Sequence, residues 1–265
     1  MNAASEFAID LALQTGDLLR DYFSLSGLHA VQKIDQTAVT EADMAADRLI
    51  TIAINSKFPQ DKIISEESSH KLDDPQTPTW IIDPLDGTTN FSLGLSIWGI
   101  SIARLLNGYP ELGILYFPMI NELYCAERGT GAYLNHLPIT THGPEPSQPL
   151  SFFTCCSRSF RYYDISVPYK LRIMGSCAYT FCMVARGSAL LGFDATPKIW
   201  DLAAVWLLVE EAGGKISAFD GSPAFPISPN DNFSIINYPT LAAATPDILS
   251  FGQKKIQKKL STLSS

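Results

Sequence analysis

Five acidic side chains fall at places where a chain can gather charge. Glu66 and Glu67 follow the short apolar run Ile63-Ile64, Asp83 ends another apolar run, Asp86 comes three residues later, and Asp201 opens an apolar helical stretch. Carboxylates at strand ends and helix starts can converge on one crevice, and several negative charges sharing a desolvated space are costly unless cations neutralise them. Oxygen ligands with almost no His or Cys among them select Mg²⁺, Mn²⁺ or Ca²⁺ over Zn²⁺. The four histidines, His29, His70, His136 and His142, show no metal-binding spacing and read as surface or loop residues. Directly after Asp86, Gly87-Thr88-Thr89 offers backbone N–H groups and two hydroxyls where a glycine lets the chain approach an anion closely. Acids holding cations beside amides cradling an anion describe a phosphate site. Each residue alone also has a plainer reading: Asp86-Gly87 as a turn, Asp43 as a helix cap, Asp201 as a favourable charge at a helix start.

The elements that must position these groups are legible from periodicity. Phe7, Leu11, Leu18 and Tyr22 predict an amphipathic helix over Ala3 to Phe23, with Gly27 as its stop. A second helix begins at Thr40, where Thr40 and Asp43 resemble a capping box, and ends before Pro59. Trp80 to Asp83 reads as a strand entering a Pro84-Leu85-Asp86-Gly87 turn. Ile97 to Arg104, Leu112 to Phe117 and Glu122 to Glu127 read as a meander with hairpin turns at Asn107-Gly108 and Pro118 to Asn121. Met174 to Ala185 and Trp200 to Ala212 read as helices, the latter with Trp200, Ala203, Ala204, Leu207 and Leu208 on one face and Gly213-Gly214 after it. Between them Ala189 to Phe193 reads as a strand. The Pro- and Gly-rich stretch Thr141 to Pro149 suggests a boundary between an N-terminal half, residues 1–145, and a C-terminal half, residues 146–265. Helices and strands mixed in this way point to stacked layers.

Composition narrows the function classes. The chain has 265 residues, 46% of them hydrophobic, enough to bury a core and argue against disorder. Its 19 basic and 27 acidic residues give a net charge of −8, which disfavours a nucleic-acid partner. The one dense basic run, Lys254, Lys255, Lys258 and Lys259, reads as the solvated face of a terminal helix. No stretch reaches the roughly 18 apolar residues of a membrane span, and the first residues lack a signal-peptide core, so the expectation is a cytoplasmic chain. Five cysteines without paired spacing suggest reduced, mostly buried thiols.

The run Trp-Ile-Ile-Asp-Pro-Leu-Asp-Gly-Thr-Thr-Asn-Phe, Trp80 to Phe91, closely resembles the signature of inositol monophosphatases, within the Mg²⁺-dependent, lithium-sensitive phosphatase superfamily. The resemblance extends to Val39-Thr40-Glu41-Ala42-Asp43, Ser65-Glu66-Glu67-Ser68, and Trp200-Asp201 followed by Glu210-Glu211-Ala212-Gly213-Gly214, in the family's order. It implies an α+β fold, a layered α/β/α/β/α sandwich of the inositol monophosphatase and fructose-1,6-bisphosphatase type, commonly as a homodimer. By the same resemblance Glu66, Asp83 and the carbonyl of Leu85 hold one Mg²⁺, and Asp83, Asp86 and Asp201 hold a second. Glu66 helps with a weaker third, and Mn²⁺ is a possible substitute. Thr88 and Asp43 match the pair that orients and deprotonates the attacking water, with Glu67 a further candidate. Asp86, Gly87, Thr88, Cys177 and Asp194 fall at substrate positions.

The implied reaction is hydrolysis of a small sugar or polyol phosphate by metal-activated water, inositol monophosphate first. Fructose 1,6-bisphosphatase, another sugar or nucleotide phosphatase, and a non-catalytic regulatory relative are the alternatives. Asp194, seven residues before Asp201, suits polyol hydroxyls, and Thr89-Asn90-Phe91 is the inositol-type continuation. Two segments depart from the family pattern: Ser92 to Trp98 lacks the usual His and Pro, and Ser151 to Lys170 lacks the usual Gly-rich stretch. Arg158, Arg161 and Lys170 there read as solvated charges, with a second substrate phosphate as the sharper alternative.

Overall fold

A computed structural model describes residues 2–24, 31–32, 38–39, 41–68, 71–72, 74–144, 151–219, 224–229 and 231–259. The long first helix, α1 (Ala3–Ser24), is followed by a small ribbon of β1 (Val31–Gln32) and β2 (Ala38–Val39), then by α2 (Glu41–Lys57). Next come β3 (Lys62–Ser65), β4 (Thr79–Asp86) and the short α3 (Thr88–Ser92). A meander of β5 (Gly99–Leu106), β6 (Tyr109–Phe117), β7 (Glu122–Glu127), β8 (Gly131–Leu134) and β9 (Leu137–Ile139) completes a seven-stranded sheet in which β3 to β9 lie in chain order. The chain continues through β10 (Phe152–Cys155), α4 (Ser159–Tyr162), β11 (Tyr163–Ile165), β12 (Lys170–Arg172) and α5 (Cys177–Ala185). It ends with β13 (Ala189–Asp194), α6 (Ile199–Glu211), β14 (Lys215–Ala218), β15 (Thr240–Ala243), α7 (Pro246–Lys255) and β16 (Ile256–Lys258). Here a second sheet forms in the order β12-β10-β13-β15-β14.

Helices α1 and α2 cover one face of the large sheet, α5 and α6 lie between the two sheets, and α7 packs on the far face of the small one. This is a mixed α+β fold of stacked layers. Its centre is α6, whose residues from Ile199 to Val209 are buried all round except Asp201, because a helix between two sheets has no solvent face. The expected face of Trp200, Ala203, Ala204, Leu207 and Leu208 is there, and the other sides are buried too. The meander turns at Asn107 and Gly108, both at positive φ (52° and 78°), which suits a two-residue hairpin and the right-handed twist of its strands.

Several expectations change in detail. Pro84-Leu85-Asp86 is not a turn: β4 runs on to Asp86, and the ladder to β5 breaks between Asp83 and Asp86, where a proline costs no hydrogen bond. The helix expected from Met174 starts only at Cys177, because Ser176 caps it by accepting from the Tyr179 amide at 3.0 Å. The four terminal lysines do not share a helix: α7 stops at Lys255, and Ile256–Lys258 pairs antiparallel with Tyr163–Ile165. Thr40, Gly27, His29, His70 and part of the expected linker, 145–149, lie outside the described residues.

The sheets and helices approach closely at Gly113 on β6, where an added Cβ would stand 2.5 Å from the Ala204 carbonyl oxygen and 3.0 Å from its Cα. Both are backbone atoms of α6, so the helix itself would have to move. Gly113→Ala is expected to cost about 2–3 kcal/mol of stability and to lower the midpoint by roughly 4–10 °C, read by thermal unfolding followed by circular dichroism.

Candidate active site

The parallel register of β3 and β4 sets Ser65 opposite Ile82, so Glu66 and Glu67 leave the sheet beside Asp83. In a regular strand residues three apart point to opposite faces. The break in the β4–β5 ladder removes that constraint, and Asp83 and Asp86 both line one cleft. Asp201 arrives from the other direction, as the third residue of α6, with one oxygen accepting from the Lys198 amide at 2.7 Å. Oxygen atoms of Asp83, Asp86 and Asp201 lie within 4.8 Å of one another.

Asp86 is held from the far sheet's side. The Ser176 hydroxyl and the Ala178 amide (3.1 Å) donate to its Oδ2, and the Cys177 amide donates to Oδ1 at 3.0 Å. These donors are the start of α5, so a carboxylate from the large sheet sits on a helix N-terminus that belongs to the small one. Burial nevertheless dominates, and pushes Asp86 up to about 6. Asp83 is raised well above the usual carboxylate range by burial, then by the charges of Glu66, Asp86, Asp201 and Asp43. Asp201 is raised by burial and by Asp86. Three acids that resist ionising together are a ready site for a hard cation.

The surrounding cleft has a volume of about 820 Å³. Glu66, Glu67, Leu85, Gly87, Thr88, Cys177 and Asp194 line it together with the three aspartates. Asp43 is 1% exposed in the first turn of α2 and is not among the lining residues, although its charge acts on Asp83. The Thr88 hydroxyl donates to the Leu85 carbonyl at 3.0 Å. Gly87 has φ +89°, and a Cβ there would meet the Ile97 carbonyl oxygen at 3.1 Å, so the turn that presents the Thr88 amide needs glycine.

Asp194, 4% exposed, accepts from the Thr196 amide at 3.0 Å. Burial raises its pKa, opposed by that amide, by the Cys156 and Cys177 thiols and by the charge of Arg158. Both thiols stay protonated, Cys156 pushed up to about 11 and Cys177 well above the usual range by burial, so neither is an activated nucleophile. Arg158 lines the cleft, whereas Arg161 and Lys170 are exposed and do not.

Sequence reasoning missed the roles of three residues that shape the site. Ser176 caps α5 and donates to Asp86. Asn90 donates to the carbonyls of Ile97 (2.6 Å) and Met174 (2.8 Å), binding the 92–97 loop to the approach to α5. Lys198 precedes α6 and lines the cleft. All three are ordinary residue types whose roles come from tertiary placement, and only the position of Ser176 just before a helical run carries a local signal.

The fold and an acidic triad that could hold a metal ion fit a phosphatase centre, and sequence comparison names the class. Residues 2–260 match the inositol monophosphatase family, to which the chain belongs, a family of phosphoric monoester hydrolases. It is 38% identical to a protein from Chlorobaculum parvum named histidinol-phosphatase, over 79% of this chain and 83% of that one. It is 34% identical to Escherichia coli Nus factor SuhB, over 87% and 90%. Among solved structures, an IMPase from Thermotoga maritima superimposes with a TM-score of 0.77 at 28% identity, covering 94% of this chain and 96% of that one.

The raised carboxylates fix the sign of a pH effect. Acids whose pKa is raised by folding keep protons that the unfolded chain releases, so their contribution to stability falls as pH rises from the unfolded value of 3.8 through about 6 for Asp86. In chelator at neutral pH, Asp83→Asn should therefore be more stable than the wild type by about 1–4 kcal/mol. The gap should close toward pH 3.8, and divalent cations should reverse it; scanning fluorimetry with and without chelator reads all three.

Proposed function

We propose that the protein is a Mg²⁺-dependent phosphomonoesterase of small sugar or polyol phosphates, with inositol monophosphate as its first substrate. The observation that carries this reading is the all-oxygen aspartate triad beside the Gly87 turn. Glu66, Asp83 and the Leu85 carbonyl would hold one Mg²⁺, Asp83, Asp86 and Asp201 a second, and Glu66 would help with a weaker third; Mn²⁺ suits the same donors. Bound there, such ions make a coordinated water acidic and stabilise the leaving alkoxide.

The chain's own residues do the rest. Thr88, its hydroxyl fixed on the Leu85 carbonyl, orients the attacking water, with Asp43 as the other member of the pair, behind the cleft lining, and Glu67 as a second group on that water. The amides of Gly87 and Thr88, at the start of α3, receive the phosphate. Asp194 accepts the hydroxyls of the leaving group, and Cys177 packs beside it. The cleft then lies between the N-terminal half, residues 1–145, and the C-terminal half, residues 146–265, which supplies Asp194 and Asp201. No helix among the described residues is long and apolar enough to cross a membrane. On the family resemblance we place the chain in the cytoplasm as a homodimer.

Histidinol phosphate is the second reading, favoured by the name of the Chlorobaculum parvum relative and by a buried carboxylate, Asp194, able to meet an amine. Arg158 near that carboxylate weighs against a cationic leaving group. Phosphate release with Mg²⁺ is to be measured from myo-inositol 1-phosphate, histidinol phosphate, fructose 1,6-bisphosphate and adenosine 3′,5′-bisphosphate. The inositol ester should turn over fastest, and Asp83→Asn should lower kcat by more than about two orders of magnitude. Faster turnover of histidinol phosphate would reverse the two readings. Full activity of Asp83→Asn would sink both, and a folded, Mg²⁺-binding wild type inert on all four esters would favour a regulatory role.

A further inference from the structure

Lys198 faces two ways. Its backbone amide donates to Asp201, and its side chain reaches across the cleft mouth, where Nζ donates to the carbonyls of Ser234 (2.7 Å) and Ile236 (3.2 Å). The segment it grips has neither helix nor strand among its described residues before β15 begins at Thr240. One further tie holds it to the same place, the Tyr238 amide donating to the Pro197 carbonyl at 2.9 Å.

From this segment Ser234 and Asn237 reach the cleft. The Ser234 hydroxyl donates to the Asn232 side chain at 2.6 Å, whereas the exposed Asn237 amide makes no hydrogen bond among the described residues. Two of the three ammonium hydrogens are directed at main-chain carbonyls, so the side chain is aimed at the segment. The side chains it holds in place, at 234–237, carry no charge, and Ser234 and Asn237 offer a donor and an acceptor, which suits hydroxyl groups.

We propose that Lys198 is a positioning residue for substrate selection: it clamps residues 234–237 over the cleft so that the Asn237 amide meets a hydroxyl of an uncharged, polyhydroxylated leaving group. The proposal rests on the phosphatase reading above and adds to it the groups that choose the ester. Substituting the side chain leaves the backbone bond to Asp201 in place, so the clamp can be removed without removing that link.

Lys198→Met and Lys198→Arg are to be compared with the wild type on myo-inositol 1-phosphate and on p-nitrophenyl phosphate, whose leaving group has no hydroxyl to offer beyond the ester oxygen. Amide hydrogen exchange in residues 234–238 of the metal-free proteins is measured alongside. Lys198→Met should lower kcat/KM for the inositol ester about tenfold more than for the nitrophenyl ester, mainly through KM, as expected for losing one or two hydrogen bonds. Exchange in the segment should quicken, and Lys198→Arg should restore part of both effects. Asn237→Ala should shift the same ratio while exchange stays as in the wild type. Unaltered exchange in Lys198→Met, or equal losses on both esters, would overturn the proposal. A wild type that hydrolyses neither ester would instead defeat the phosphatase reading, and exchange alone would still decide whether Lys198 holds the segment.

Discussion

Three carboxylates held within 4.8 Å of one another are the arrangement on which the rest of the structure depends. At that separation two unit charges repel by about 3.5 kcal/mol even at an effective dielectric of about 20. A hydrogen bond returns on the order of 1 kcal/mol net, or up to about 3 when one partner is charged. The donors on Asp83, Asp86 and Asp201 work against this repulsion, but the cost of burying three charges comes on top of it when all three acids are ionised. Protons or cations must supply the balance, and a scaffold must keep the acids from drifting apart.

That scaffold is rigid for reasons that can be named. The triad comes from the end of β4 and the start of α6, and α6 is wedged between two sheets with apolar side chains on nearly every side. Ser101 on β5 donates to the Trp200 carbonyl at 3.2 Å, joining the sheet to the helix one residue before Asp201. At Gly113 the helix backbone approaches the sheet with no side chain between them. Small shifts of α6 away from the sheet are thus opposed by dense packing.

Much of this was legible in the sequence, because strong periodicity and strong chemistry leave marks on residue types. The long helices α1, α2 and α6, the central meander, and the acids at positions 66, 67, 83, 86 and 201 all carry such marks. Pro84 misled because composition reads a proline beside Asp and Gly as a turn, whereas here it occupies the break in a strand. The short strands β8, β9, β11 and β12 were missed because three or four residues toward a sheet's margin bury too little for an alternating pattern to show, and β10, interior and largely buried, is too short to show one. Lys258 was placed on a helix because its strand partner, Tyr163, lies far away in sequence. The contacts of Ser176, Asn90 and Lys198 were hidden for the same reason, since each acts on a segment distant in sequence.

The seat of Asp86 on α5 also bears on kinetics. Its carboxylate accepts from the first amides of a helix that packs on the opposite sheet, so any ion it binds shares those oxygens with the helix terminus. Helix ends fray faster and more often than helix middles. Each fraying of the first turn of α5 would free Asp86 to swing and loosen its hold on the ion, while an ion in place would keep that turn wound. Residence time of a cation at the centre and local opening of a helix start would then be two readings of one motion, with Ser176, which caps α5, acting on both.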